Sequence, residues 1–347
     1  MHKLKTNKGV IGLDIGRYSI KAVQVSVNSK GPSLDGAVRL SRSTAGQALG
    51  MEEAQRLLRA MERRGMTASH AVLIAPVEAL VGGSLNVPPA DSGASRDKII
   101  AMELSRTHKL SPGSFEMAWW DLPVPASGAR IGQVHALALS HAAVQPTLEV
   151  MSEAGLGVMR TMPESLALLA AAQRHPIDPR CVSAVLDLGS RRGHLALMVA
   201  GRVVHERPLP DFNMSHICAQ ACHDLGIEPH AATVALGSYG LDAANEGFVA
   251  VETASLVTEA VQPLIEEVSM SFAYVSHLYP EADLGHLLLA GGGANVSGLS
   301  QTLSEALELQ TMVITPKTLL PGDYFGDECD DPALTAAVGA ALCGEVI

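Results

Sequence analysis

The same local pattern occurs twice in this chain, and it constrains the fold more than any other feature. An apolar strand ends in Asp-x-Gly, a tight turn follows, and a second apolar strand leads away; the copies span residues 9–26 and 182–199. Two copies about half a chain apart predict two similar halves that face each other across a cleft. Because Asp-x-Gly turns are common between strands, a pair of ordinary hairpins remains the alternative.

The first copy brings several phosphate-binding groups to one point. Asp14 ends the first strand, Gly16 permits the tight turn, and Ser19 and Lys21 lie just past it. Backbone N–H groups, a hydroxyl and an ammonium that converge in this way can hold a phosphate and its metal ion. The second copy has Asp187 at the same point of its pattern.

Composition excludes several classes of protein. The formal net charge of −11 argues against nucleic-acid binding, which normally needs a basic face. The chain has neither a run of about eighteen apolar residues nor an N-terminal signal sequence, so we expect a cytoplasmic protein that does not insert into a membrane. Its five cysteines are expected to be reduced. No second ligand pair with zinc-finger spacing accompanies Cys218 and Cys222, which fall in a helical stretch, so we expect them to pack rather than bind metal.

Hydrophobic periodicity predicts an α/β protein with two lobes and a small insert. Each half opens with three strands, and a helical stripe over residues 246–277 predicts a long core helix. We expect the following units: a first lobe of 1–87, 157–180 and 333–347, an insert of 88–156, and a second lobe of 181–332.

Two features outside the hairpins lead to further expectations. Trp119 and Trp120 are adjacent on a predicted strand of the insert, so they should face opposite ways, and we expect packing against the insert's own helix. The acidic segment 322–332 is expected to be a solvated loop.

The two hairpins and a late glycine loop resemble the actin-like ATPase superfamily. In that superfamily the hairpins are the phosphate 1 and phosphate 2 loops, and the glycine loop contacts adenosine. The resemblance implies the two-lobed actin-like (ribonuclease H-like) fold, and the insert looks like the 1C subdomain of the FtsA/PilM branch. The sequences of residues 12–16 and 289–299 most resemble those of the PilM-like type IV pilus assembly proteins.

This resemblance implies ATP and Mg²⁺ as cofactors, with Asp14 and Asp187 holding the metal ion. It also implies three groups of nucleotide-binding residues: Gly16, Arg17, Tyr18, Ser19 and Lys21 at the β-phosphate, Gly189, Ser190, Arg191 and Arg192 at the γ-phosphate, and Gly291, Gly292 and Gly293 at the adenosine. Glu164 is the candidate catalytic residue. It either orients an attacking water or only begins its helix.

The chain also departs from the family pattern. Arg191 and Arg192 fill the tip of the second hairpin, where relatives carry a hydroxyl, and no base follows Glu267 on the long helix. Residues 229–238 lack the lysine that relatives place near the ribose. Each lost charge-assisted hydrogen bond removes about 1.5–3 kcal/mol. We therefore expect at most a slow ATPase, and a pseudo-ATPase remains open.

The resemblance implies a partner as well. PilM-like proteins dock to the inner membrane through the cytoplasmic N-terminal peptide of a PilN-like protein, which lies between the first lobe and the insert. The alternatives are an FtsA-like division or filament scaffold, a type II secretion component and, less favoured, a small-molecule kinase. Self-association is left open.

Overall fold

Two five-stranded sheets with the same strand order form the frame of the molecule. The computed structural model describes residues 9–124, 132–242, 247–322 and 326–344. Its strands are β1 (Val10–Ile15), β2 (Ser19–Asn28), β3 (Gly31–Ser41), β4 (His70–Ile74), β5 (Leu80–Val87), β6 (Phe115–Asp121), β7 (Gly132–Ser140), β8 (Gly157–Met162), β9 (Val182–Leu188), β10 (Gly193–Val199), β11 (Arg202–Leu209), β12 (Leu284–Ala290) and β13 (Gln310–Val313). The sheets run β3-β2-β1-β4-β8 and β11-β10-β9-β12-β13, which confirms the two predicted halves.

Each sheet has three antiparallel strands followed by two parallel ones. Every residue of β9 and β10 is buried, as expected for central strands that are covered on both faces. Because the hairpins β1–β2 and β9–β10 occupy equivalent central positions, their turns mark corresponding points of the two lobes.

Helices cover both sheets and fill the space between them. They are α1 (Met51–Arg63), α2 (Arg96–His108), α3 (His141–Ala154), α4 (Glu164–Ala172), α5 (Met214–Leu225), α6 (Pro229–Ser238), α7 (Phe248–Leu278), α8 (Leu299–Leu307), α9 (Pro316–Leu319) and α10 (Thr335–Gly344). The apolar residues of α4 and α10 join side chains of both sheets in one core. The two lobes therefore share buried surface and are not independent bodies.

The helix α10 lies unusually close to its neighbours. A Cβ on Gly12 of β1 would fall 1.8 Å from the carbonyl oxygen of Ala337, and a Cβ on Gly339 would fall 1.8 Å from that of Ala167 on α4. Glycine at these two positions lets backbone pack against backbone. This contact fixes α4, and with it Glu164 at the start of α4, against the first sheet.

The insert begins earlier than the sequence predicted. Its sheet has the order β5-β7-β6, and β5 pairs with β7 along its whole length. The boundary placed after residue 87 is therefore wrong for the strand Leu80–Val87, because its hydrogen-bonding partner lies far along the chain. The helix α3, assigned to the insert, lies on α1 and buries Met151 in the core of the first lobe. The other boundaries stay predictions.

The two tryptophans face opposite ways on β6, as predicted. Trp119 packs against the insert's own helix, where its Nε1–H donates to Asp97 at 2.8 Å. Trp120 instead contacts the second lobe, because its Nε1–H donates to the carbonyl oxygen of Val203 on β11 at 2.7 Å. The expected packing against the insert's helix therefore holds for Trp119 only.

The described part of the acidic loop is docked rather than merely solvated. Asp331 pairs with Arg39 at 2.7 Å, Glu328 pairs with Arg64 at 2.5 Å, and Cys329 between them is buried. Arginines of the first lobe attract the loop, which corrects the sequence expectation for this segment.

The long core helix, predicted over 246–277, occupies Phe248–Leu278, and Glu246 lies outside the described residues. Its inner face, which includes Val257, Val268 and Phe272, is buried against the second sheet. Within the described part of the chain it is the one helix whose length and composition would suit a membrane span. The buried inner face identifies it as the core helix of the second lobe.

Candidate functional site

The first hairpin closes as its sequence predicts. The Gly16 N–H donates to the carbonyl oxygen of Ser19 at 3.0 Å, which forms the turn. Asp14 and Lys21 stand opposite each other on β1 and β2, and the Lys21 ammonium donates to Asp14 Oδ2 at 2.6 Å. Burial alone would lower the pKa of Lys21, but the charges of Asp14 and Asp187 raise it. Lys21 therefore stays charged beside both aspartates.

The second hairpin repeats this geometry with a different partner. Asp187 on β9 stands opposite His194 on β10, just as Asp14 stands opposite Lys21. Burial, followed by the nearby charges of Glu164 and Asp14, raises the pKa of Asp187 to about 7. A site that makes a carboxylate this costly to ionise is suited to a cation, which would remove the penalty.

Glu164 connects the first lobe to the second hairpin. Glu164 is the first residue of α4, and its Oε2 lies 2.9 Å from His194 Nδ1. Burial alone would raise the pKa of Glu164, but the hydrogen bond from His194 and the charges of Lys21 and Arg192 lower it. Glu164 therefore begins its helix and also presents an ionised carboxylate to the opposite lobe.

The glycine loop packs directly on the second hairpin. Gly291 has φ +79°, and a Cβ there would lie 2.6 Å from Asp187 Oδ1, so this position requires glycine. A Cβ on Gly293 would meet Leu188 at 2.7 Å, whereas a Cβ on Gly292 meets only Arg39, at 3.9 Å. The loop therefore brings bare backbone to the edge of the carboxylate cluster.

Three other predicted residues lie in or next to the turns of the two hairpins. Tyr18 is 45% exposed, and a hydrogen bond with Ser215 on α5, together with Arg17, lowers the pKa of its hydroxyl. The carbonyl oxygen of Ser190 accepts from the Ser215 hydroxyl at 2.6 Å. Arg191 reaches across to the first lobe side and pairs with Glu78 at 2.8 Å. Arg191, which was predicted to bind phosphate, is thus paired with Glu78 of the protein itself.

The structure brings Asp14, Lys21, Asp187 and Glu164 into one buried cluster, with Gly16, Ser19, Gly189 and the glycine loop around it. Sequence reasoning missed His194 and Glu206, whose carboxylate lies 3.8 Å from His194 Nε2. A signal for His194 was present, because it follows Asp187 by the same spacing that separates Lys21 from Asp14. Glu206 had no local signal, since its partners come from other strands.

One buried nitrogen at the second hairpin makes no hydrogen bond with the described residues. Arg192 Nη2 is buried, and no hydrogen-bonding group of the described residues lies within reach. Arg192 also takes the position in the second hairpin that Ser19 takes in the first, five residues after the aspartate. An unpaired buried guanidinium nitrogen is costly, and an anion in the cleft would satisfy it.

The carboxylates do not form a complete metal site by themselves. Within the described ranges, no three His, Cys, Asp or Glu side chains are placed to hold a metal ion together. A divalent ion here would therefore need oxygens from a ligand and from water, which is how Mg²⁺ is usually bound with phosphates.

Two sheets with the same strand order, two aspartate hairpins whose charges interact and a glycine loop packed on the second hairpin define a two-lobed actin-like protein. The family model for the type IV pilus assembly protein PilM matches residues 12–322. The chain therefore belongs to the PilM family. None of the curated proteins matches it.

Solved structures agree with this fold. The structure described as the PilM-PilN type IV pilus biogenesis complex superposes with a TM-score of 0.78 at 20% identity, over 98% of this chain and 99% of that one. MreB 5 of Spiroplasma citri bound to AMPPNP superposes with a TM-score of 0.53 at 12% identity, over 96% of this chain and 95% of that one. The ethanolamine utilization protein EutJ from Carboxydothermus hydrogenoformans superposes with a TM-score of 0.52 at 16% identity, over 96% of this chain and 88% of that one.

Proposed function

We propose that the cleft binds ATP with Mg²⁺. The observation that carries this proposal is the meeting of both aspartate hairpins in one buried cluster, where Asp187 is held at a pKa of about 7. Asp14 and Asp187 would hold the metal ion through its waters, and Ser19 and Lys21 would contact the phosphates. The orphaned Arg192 Nη2 and the close backbone of Gly291 fit a polyphosphate and its nucleoside. MreB 5, a protein of the same fold, was crystallised with AMPPNP.

The bound Mg²⁺–phosphate group would supply an electrophilic phosphorus. Glu164 would orient a water toward it, and His194 would hold the carboxylate in place through the 2.9 Å contact. Because the pKa of Glu164 is lowered, its carboxylate is a weak general base, and a weak base contributes little to proton removal. We therefore propose slow hydrolysis, with ATP acting mainly to set the angle between the lobes.

We further propose that the protein serves a type IV pilus assembly complex at the cytoplasmic face of the inner membrane. Family membership and similarity to the structure of a PilM-PilN complex support this role. By the same likeness, the partner would be the cytoplasmic N-terminal peptide of a PilN-type protein. The family match does not favour the division-scaffold, secretion or kinase alternatives.

Equilibrium binding of ATP in the presence of Mg²⁺ tests the cofactor. We expect saturable binding by the wild-type protein and its loss in Asp14→Asn, because that variant removes one of the two proposed metal-holding carboxylates. Arg180→Gln is a matched control, since Arg180 pairs with its neighbour Asp178 and precedes β9 at the end away from the hairpin turn. Absence of measurable ATP binding by the wild-type protein would show that this chain has kept the fold without the nucleotide.

Binding of a labelled N-terminal peptide from a PilN-type protein tests the partner separately. We expect the peptide to bind, and a scrambled peptide of the same composition to fail. Equal binding of both peptides would count against a specific docking site.

A further inference from the structure

Four ionisable side chains lie in a row beneath the cleft, and they come from three parts of the molecule. Glu164 belongs to α4, His194 and Glu206 to the second sheet, and His135 to β7 of the insert. His194 Nδ1 is 2.9 Å from Glu164, His194 Nε2 is 3.8 Å from Glu206, and Glu206 Oε1 is 3.1 Å from His135 Nε2. We call these four residues the buried charge chain.

The four side chains of the buried charge chain are well shielded from water. The side chains of His135 and His194 are 5% and 8% exposed, and those of Glu206 and Glu164 are 15% and 17% exposed. Burying a row of charges is rarely the most stable solution, because apolar side chains of similar size often stabilise as well or better. Such a row at the junction of three units is therefore better explained by a role in coupling them than by stability alone.

The last member of the chain stands where the insert docks on the second lobe. His135 stacks on Trp120 with ring centroids 5.0 Å apart, and Trp120 donates to the Val203 carbonyl oxygen on β11. Beside it, the Arg202 guanidinium donates to the carbonyl oxygen of Asp121 at 2.7 Å. The bond between His135 and Glu206 is thus one of a few polar contacts that hold β6 and β7 against β11.

We propose that the buried charge chain couples the cleft to the insert, so that a change of charge at Glu164 alters how tightly the insert docks on β11. His194 lies between two carboxylates and is closer to Glu164 than to Glu206. When Glu164 is protonated, or replaced by glutamine, it donates to His194 Nδ1, and the imidazole proton then lies on Nε2, which faces Glu206 and donates to it. Glu206 then holds His135 less firmly, and the docking contact weakens.

The pKa directions of the buried charge chain show that its members interact electrostatically. Burial alone would lower the pKa of His194, but the hydrogen bond to Glu164 and the charge of Glu206 raise it. Burial alone would raise the pKa of Glu206, but His135 and His194 lower it. Glu164 and Glu206 therefore share His194, which favours the ionised form of both carboxylates.

Hydrogen exchange of β6 and β7 tests the coupling without any ligand. In Glu164→Gln, which keeps the side-chain size but removes the charge, we expect amide exchange in residues 115–121 and 132–140 to accelerate at least about fivefold. This is the lower end of the coupling that linked sites usually show. Arg207→Gln is the matched control. Arg207 follows Glu206 on β11 but pairs with Glu267 on α7, so exchange in the insert should stay at the wild-type rate.

A cycle with Glu206→Gln separates coupling from a merely structural role. If Glu206 transmits the change, Glu164→Gln should accelerate exchange in the wild-type background and have no further effect in the Glu206→Gln background. Equal acceleration in both backgrounds, or none in either, would overturn the proposal.

The nucleotide extends the test and rests on the proposed function. Coupling is reciprocal, so His135→Asn on the insert should change the affinity for ATP with Mg²⁺ by a similar factor. Arg207→Gln should not, since Arg207 pairs with Glu267 on α7. If the wild-type protein binds no ATP, the proposed function fails while the Glu164→Gln result still decides the coupling. If ATP binds equally to wild type and His135→Asn, the coupling does not reach the nucleotide.

Discussion

Asp14 and Asp187 occupy equivalent positions in the two hairpins, yet their partners differ. Asp14 accepts a hydrogen bond from Lys21 at 2.6 Å, whereas Asp187 stands opposite His194 and lies near the charge of Glu164. One aspartate is thus neutralised by the protein itself. The other has no such direct partner, and the charges of Lys21 and His194 nearby do not offset its burial, so a bound cation would favour its ionised form.

We expect Asp187→Asn to stabilise the ligand-free protein. The pKa of Asp187 is raised from 3.8 to about 7, so its contribution to the free energy of unfolding falls as pH rises from about 4 to about 7. Removing the charge should therefore raise the Tm at pH 8 more than at pH 5. Asp14→Asn should lower the Tm at both pH values, because it leaves the Lys21 ammonium without its partner. A Tm for Asp187→Asn that falls at pH 8 would contradict this account.

The neighbouring arginines of the second hairpin should differ in function. Arg191 is paired with Glu78, whereas Arg192 Nη2 has no partner among the described residues. We expect Arg192→Gln to weaken ATP binding about tenfold or more, the effect of losing one charge-assisted hydrogen bond, and to change ADP binding less. Arg191→Gln should leave both affinities nearly unchanged. Calorimetry of the two nucleotides with both variants checks this, and equal losses in both variants would refute it.

Residues that act through a local pattern were predictable, and residues that act across the fold were not. Asp14, Gly16, Lys21 and Asp187 follow from strand and turn chemistry within a few residues of sequence. The partner of Arg191, Glu78, lies on the other side of the cleft, so no sequence window contains both. Glu206 could not be predicted for the same reason, because its partners His135 and His194 lie on other strands.

At the scale of elements, the packing of α10 depends on two glycines. Gly12 and Gly339 let the helix approach β1 and α4 until backbones touch. Most strands and helices were predictable from periodicity, since each depends on its own burial pattern. The sheet to which β5 belongs was not, because its partner strand β7 begins only at Gly132.

We expect Gly339→Ala to destabilise the protein by about 1–3 kcal/mol or more, because the added methyl group collides with the Ala167 carbonyl. Urea unfolding measures the loss. Gly50→Ala is the control, since its Cβ would meet nothing within 4 Å, and it should change stability little. Equal stability of both variants would mean that α10 can shift to make room.

At the scale of the whole molecule, the insert is attached to both lobes. Its strands continue from the first lobe, and Trp120 reaches the second lobe through Val203. A change in the angle between the lobes therefore strains the contact that Trp120 makes.

The chain has two tryptophans, so Trp120 can be observed alone in Trp119→Phe. Adding Glu206→Gln to that variant should weaken docking and shift the fluorescence emission of Trp120 to longer wavelength as water reaches the ring. In Trp120→Phe, which leaves only Trp119, Glu206→Gln should not shift the emission. A shift of Trp119 as large as that of Trp120 would indicate general loosening of the insert.

The contact between α10 and β1 joins segments that lie near opposite ends of the described chain. During synthesis β1 leaves the ribosome well before α10, because the insert and the second lobe lie between them in the chain. One face of the first sheet therefore stays exposed to solvent until α10 is made. Chaperones that bind exposed apolar strands would bind this face. In arrested translation, the first lobe should resist protease only after α10 has left the exit tunnel.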